Sequence, residues 1–160
     1  MANLDLLENS IPVAPLKLAA LPGSMEMAKK VDAYLVQFRK ELAERRNGVS
    51  FSGYSEDSFL IDCECPRFGS GEAKGTILDS IRGKDLYLLV DVTNYSIEYS
   101  LCGHMNKMSP DDHYSDLKRI ITAAAGKARR INVIMPFLYE SRQHKRTGRE
   151  SLDCALMLQE

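Results

Sequence analysis

Apolar residues fall into two patterns along this chain: short unbroken runs, and stretches spaced three and four apart. Leu16-Lys-Leu-Ala-Ala-Leu21 is a run of strand length, and Pro22-Gly23-Ser24 is a turn with Ser24 as a good helix N-cap. Met27, Val31, Tyr34, Leu35, Phe38 and Leu42 then form one stripe, which predicts a helix to about Arg46, ahead of Asn47-Gly48. Polar residues 47–58 predict a loop. Phe59–Cys65 predicts a strand, Arg67–Glu72 a glycine turn, and Ala73–Leu78 a further strand. Leu86-Tyr-Leu-Leu-Val-Asp-Val92 reads as buried on both faces, as in a parallel sheet. Residues 93–108 show no dominant period and predict no regular element. Ser109 as cap, Pro110 and the Asp111-Asp112 pair open a helix with Tyr114, Leu117, Ile121 and Ala124 inside, ended by Gly126. Ile131–Met135 is the next strand, and from Ser151 the spacing of Leu152, Ala155 and Leu156 is helical again.

This alternation predicts an α/β domain with a mostly parallel sheet flanked by helices. The domain is expected over residues 16–160, behind an arm of residues 1–15 broken by Pro12 and Pro15. The helical pattern is still running at Gln159-Glu160, so the expectation is one domain of a longer protein. A chain of 160 residues with 44% hydrophobic and 27% charged content can bury a real core. No apolar run approaches the roughly 20 residues of a membrane span, and the N-terminus lacks a signal-peptide pattern. Four cysteines in such a context read as reduced thiols, and a cytoplasmic location is expected.

Net charge is −1, yet the charge is unevenly placed. Between Lys118 and Arg149 lie nine Lys/Arg and one acid, Glu140; of 21 bases and 22 acids in all, this leaves 12 and 21 elsewhere. So local a positive field suits a small anion better than a nucleic-acid backbone. Its core is the loop Arg142-Gln143-His144-Lys145-Arg146-Thr147-Gly148-Arg149, placed just after an apolar strand. Ligands of open α/β sheets bind outside the carboxyl ends of strands, and guanidinium grips phosphate two-pronged. A phosphate ligand is therefore expected here, against the plain alternative of a solvated surface loop.

Other constellations are weaker. In Arg67-Phe68-Gly69-Ser70-Gly71-Glu72, an exposed Phe68 could stack on a base while Glu72 accepts from an exocyclic amine; equally, Phe68 could pack inward from a hairpin turn. Ser80 and Arg82 could hold a second anion, although an Arg-Gly turn between strands is the simpler reading. No P-loop or dinucleotide fingerprint occurs. Cys63-Glu-Cys65 and Cys102-Gly-His104 lack the spacing of a zinc site, so no metal centre is expected. His113, in the first turn of its helix, reads as a surface residue.

Taken together, these segments resemble the N-terminal domain of ribose-phosphate diphosphokinases, the phosphoribosyl pyrophosphate synthetases. That family carries an Arg-Phe-Ser-Asp-Gly-Glu type turn, a Glu-Ser-Val-Arg-Gly turn before a strand, and a strand-Pro followed by Tyr-Ala-Arg-Gln-Asp-Arg/Lys-Lys. Here the same order and spacing occur as Arg67–Glu72, Asp79-Ser80-Ile81-Arg82-Gly83, and Pro136-Phe-Leu-Tyr139-Glu-Ser-Arg142-Gln143-His144-Lys145-Arg146. The likeness spans roughly residues 16–160. It implies a phosphoribosyltransferase-like N-terminal domain with a β-hairpin, and transfer of the diphosphoryl group of ATP to ribose 5-phosphate with Mg2+, in nucleotide biosynthesis. It further implies that Arg142 and Gln143 touch ATP, with Arg142 catalytic. Phe68, Ser70 and Glu72 would hold adenine from a neighbouring subunit of a homo-oligomer, and Ser80 and Arg82 would form a regulatory phosphate site. Ser70 stands where the family has Asp or Asn, His144 where it has Asp, and residues 94–112 are longer than the usual helix entry. No Asp-Asp-x-x-x-Thr-Gly loop for the ribose phosphate occurs, so Mg2+ is expected to be bound mainly elsewhere, and this stretch alone to be inactive. The alternative is a non-catalytic nucleotide-binding regulatory relative.

Overall fold

A computed structural model describes residues 12–45 and 53–160; the arm's first 11 residues and much of the loop at 47–58 lie outside the described residues. The strands are β1 (Leu16–Ala20), β2 (Leu60–Ile61), β3 (Cys63–Glu64), β4 (Thr76–Ile77), β5 (Asp85–Leu89), β6 (Glu98–Leu101), β7 (His104–Lys107) and β8 (Arg130–Ile134). The helices are α1 (Met25–Arg45), α2 (Pro110–Ala124) and α3 (Asp153–Gln159), with single 3-10 turns at Pro22–Ser24 and Ser141–Gln143. Four strands make an all-parallel sheet in the order β2-β1-β5-β8. The α/β class with a helix-flanked parallel sheet is thus as the sequence pattern predicts.

The central strands β1 and β5 are covered on both faces, which is why residues 18–20 and 86–89 are apolar, while the edge strand β8 is largely exposed. Ala19, Leu21, Leu86, Leu88 and Val90 meet Tyr114, Leu117, Ile120 and Ala124 of α2. Leu18, Ala20 and Leu89 point the other way, toward Ala28 of α1 and the fully buried Phe59. α1 buries Ala28, Asp32 and Leu42, and Met27, Val31 and Leu35 of the predicted stripe pack partly buried against the same core; Tyr34 of that stripe is instead 68% exposed and stacks on Phe38. Asp32 is buried because it caps the end of the loop that follows α1, accepting from Phe59 N at 2.7 Å and Ser58 Oγ at 2.8 Å.

The expected strand at Phe59–Cys65 is in fact two. Asp62 N turns aside to Asp79 Oδ2 at 2.9 Å, so β2 stays in the main sheet while β3 pairs antiparallel with β4. Residues 93–108, predicted to be irregular, hold the β6–β7 hairpin. Its two-residue turn, Cys102-Gly103, has φ of 50° and 81°, the double positive φ of a type I′ connection. Alternation fails as a signal because only Tyr99, Leu101 and Asn106 face the domain, while Glu98, Ser100, Met105 and Lys107 are exposed.

The start of α2 is as expected. Ser109 Oγ accepts from Asp112 N at 3.1 Å, and Asp112 Oδ2 accepts from Ser109 N at 2.9 Å, a reciprocal cap. His113, however, is fully buried, its Nε2 2.8 Å from Asn94 O. Asn94 in turn donates from Nδ2 to Gly23 O at 2.9 Å. These bonds close the crevice where strand order reverses between β1 and β5, at their carboxyl ends.

Candidate functional site

The three groups of residues singled out in the sequence occupy three places. Among the described residues no hydrogen bond, ion pair or ring contact links one place to another. The first is the turn at Phe68–Glu72, closed by Phe68 N donating to Glu72 O at 2.7 Å and Gly71 N to Phe68 O at 2.9 Å. Gly71 has φ of 91°, open to glycine at no cost. Phe68 is 55% exposed, so the inward-packed alternative does not hold. Ser70 Oγ donates to Glu72 Oε2 at 2.8 Å, which brings together all three residues expected there. Arg67 anchors the turn to α2 through Asp116, Nη2 to Oδ2 at 2.9 Å, and Asp116 also takes Arg119 at 2.6 Å. Burial raises the Asp116 carboxyl and outweighs the two guanidiniums that lower it.

The second place is the loop beyond β8. Tyr139 fixes its root: the ring stacks on Tyr114 at 4.5 Å and the hydroxyl donates to Asp111 Oδ1 at 2.6 Å. Burial and Asp111 together push the Tyr139 phenol well above its ordinary range. Glu140 turns the chain with φ of 57° into the 3-10 turn Ser141–Gln143. Gln143 Nε2 then reaches Ser151 O at 2.8 Å and closes the loop on itself. Thr147 donates to Glu150 from N at 3.2 Å and from Oγ1 at 3.0 Å, bonds that hold the carboxyl below its usual range. Arg142, Lys145, Arg146 and Arg149 are exposed, and none pairs with a carboxylate among the described residues. A braced backbone with unpaired cations can hold phosphate without first breaking ion pairs of its own.

The third place is a cavity of about 340 Å³ lined by Ser80, Arg82, Lys74, Lys127, Thr76 and Asp79. Ser80 and Arg82 line the same cavity. Lys74 and Lys127 were missed: Lys127 arrives because its carbonyl accepts from Gly83 N at 2.9 Å, a pairing without a sequence signal. Thr76 Oγ1 is buried with no hydrogen-bond partner among the described residues. No group of three or more His, Cys, Asp or Glu is placed to hold a metal among the described residues. Nor is any described helix long and apolar enough to cross a membrane.

The family described as the N-terminal domain of ribose phosphate pyrophosphokinase matches residues 16–160. The chain belongs to that family. Its fold is also similar to the crystal structure of phosphoribosylpyrophosphate synthetase from Mycobacterium smegmatis, with a TM-score of 0.56 and 21% identity over 90% of this chain. The chain spans 38% of that synthetase's length. No individual curated protein matches.

Proposed function

We propose that residues 16–160 form the ATP-side domain of a cytoplasmic ribose-phosphate diphosphokinase that works as a homo-oligomer. The observation that carries this reading is the loop at the carboxyl end of β8. It is internally braced, strongly cationic and unpaired among the described residues, in a domain of this family. In the reaction, the 1-hydroxyl oxygen of ribose 5-phosphate attacks the β-phosphorus of ATP. The bond from that phosphorus to the α–β bridging oxygen breaks, AMP leaves, and the hydroxyl proton is lost to solvent. Little covalent work falls to the protein, so positioning and charge neutralisation dominate. Arg142 is assigned to the charge that builds on the transferred group and the leaving oxygen. Gln143 contributes by holding Arg142's turn in shape, and meets nucleotide through its remaining amide oxygen. Phe68 stacks on adenine and Glu72 accepts from its amine, with Ser70 orienting the carboxylate. Their separation from the Arg142 loop supports a site completed by a neighbouring subunit. Ser80 and Arg82 hold a regulatory phosphate.

Mg2+ neutralises phosphate charge in phosphoryl transfer. Among the described residues no group of three or more His, Cys, Asp or Glu is gathered at one point, and Mg2+ would be held largely by the substrate phosphates with few protein carboxylates. The second reading, a regulatory relative that binds nucleotide without turnover, is favoured by one observation: Gln143 Nε2 and one oxygen of Glu72 are already engaged. A coupled assay for AMP, with the full-length protein, ATP, Mg2+ and ribose 5-phosphate, separates the two. AMP release that depends on ribose 5-phosphate supports the enzyme. ATP binding without AMP release supports the regulator.

A further inference from the structure

We infer that the β6–β7 hairpin is a positioning element for the base-contacting turn, and that it sets how selectively the protein accepts an adenine nucleotide. The inference rests on the assignment of Phe68 and Glu72 to the base. Three separate contacts join hairpin to turn. The Arg67 guanidinium lies 4.8 Å from the centre of the Tyr99 ring, at the residue where the turn begins. Leu101 lies beneath the middle of the turn, where a Cβ added at Gly71 would sit 3.5 Å from its Cδ2. Cys102 Sγ, at the hairpin tip, is 3.5 Å from Gly69 O.

The register of the hairpin explains why these side chains meet the turn. Tyr99 pairs with Asn106 and Leu101 with His104, so Tyr99 and Leu101 share the face directed at the domain. The intervening pairs, Glu98 with Lys107 and Ser100 with Met105, are exposed. The hairpin therefore directs its inward face at the turn, whose exposed half is otherwise held, among the described residues, only by the hydrogen bonds within the turn itself. Arg67 fastens only its start, through Asp116. Phe68, Gly69, Ser70 and Glu72 are all exposed. Without the hairpin, Phe68 and Glu72 would be held in a binding-competent arrangement for only a fraction of the time. Apparent affinity falls by that same fraction. The phosphate-binding loop is untouched, so the loss is expected in recognition of the base and not in transfer.

The test uses the full-length protein and compares KM and kcat for ATP and for UTP, whose base has no exocyclic amine. The double variant Tyr99→Ala/Leu101→Ala is expected to raise KM for ATP about tenfold, as for a turn competent roughly a tenth of the time. KM for UTP is expected to rise less, because uracil loses the Phe68 stack but has no amine to lose at Glu72, while kcat and KM for ribose 5-phosphate stay within about twofold, so the preference for ATP falls. Tyr99→Phe, which keeps a ring beside Arg67, is expected to retain it. Leu101→Ala alone serves as the milder variant should the double variant fail to fold. Phe68→Ala is the control. If Phe68→Ala lowers the preference for ATP while the hairpin variants keep it, the hairpin inference is overturned and the base assignment stands. If Phe68→Ala also leaves the preference intact, both fall.

Discussion

The surroundings of single residues decide what each can do. Arg142 is exposed with no carboxylate beside it among the described residues, whereas Arg67 is tied to Asp116 and Arg130 to Asp85. The same residue type is thus available to a ligand in one case and structural in the others. Sequence spacing could not make that division, because it depends on partners far along the chain. It did identify Phe68 and Glu72 as a pair, since a six-residue turn keeps its members together. It misjudged His113, whose burial comes from a loop 19 positions earlier folding over it. The cysteines divide in the same way. Burial pushes the Cys63 thiol up to about 11 and Cys65 up to about 12, so both are protonated at pH 8, while Cys102 is exposed. Iodoacetamide at pH 8 is therefore expected to label Cys102 first, as read by peptide mass spectrometry. Preferential labelling of Cys63 or Cys65 would contradict the burial described for them.

Among the elements, long apolar runs and the Ser109 cap were legible; the expected Ser24 cap was not realised, since Ser24 Oγ is buried without a hydrogen-bond partner among the described residues, and the β6–β7 hairpin was not foreseen. β5 and α2 carry their signals locally: a run buried on both faces, and a reciprocal Ser109–Asp112 cap. Ser109→Ala is expected to lower stability by about 1 kcal/mol in urea unfolding, and no change would show that the cap contributes nothing. β3 and β4 fall inside the strands predicted at Phe59–Cys65 and Ala73–Leu78, whereas β6 and β7 are four residues long each and set by pairing, so no window of sequence reveals them. β4 lies close against α2 for a specific reason. A Cβ at Gly75 would come within 2.7 Å of the Arg119 backbone, which cannot withdraw without moving the helix. Gly75→Ala is expected to destabilise by roughly 1–3 kcal/mol, the usual cost of overpacking. An unchanged melting temperature would mean that α2 and β4 are more loosely apposed than described.

For the whole molecule, the fold class was readable from the alternation of runs and stripes, because a parallel sheet whose central strands are covered on both faces leaves that imprint. The site is less legible, since its parts lie in three places joined only through the scaffold. The cavity with Ser80 and Arg82 gains Lys74 and Lys127 through folding alone. Residues 1–160 on their own are expected to release no AMP from ATP and ribose 5-phosphate. They span 38% of the Mycobacterium smegmatis synthetase and contain no acidic ribose-phosphate loop. AMP release by that stretch would show that the acceptor site lies within it. We assign the Arg142 loop to charge neutralisation during diphosphoryl transfer. The most direct test of that assignment is kcat for ribose 5-phosphate-dependent AMP release by the full-length protein, before and after Arg142→Ala. The expected result is a fall of about a hundred- to a thousandfold, with the melting temperature almost unchanged because Arg142 is exposed. An unaltered kcat would contradict the account.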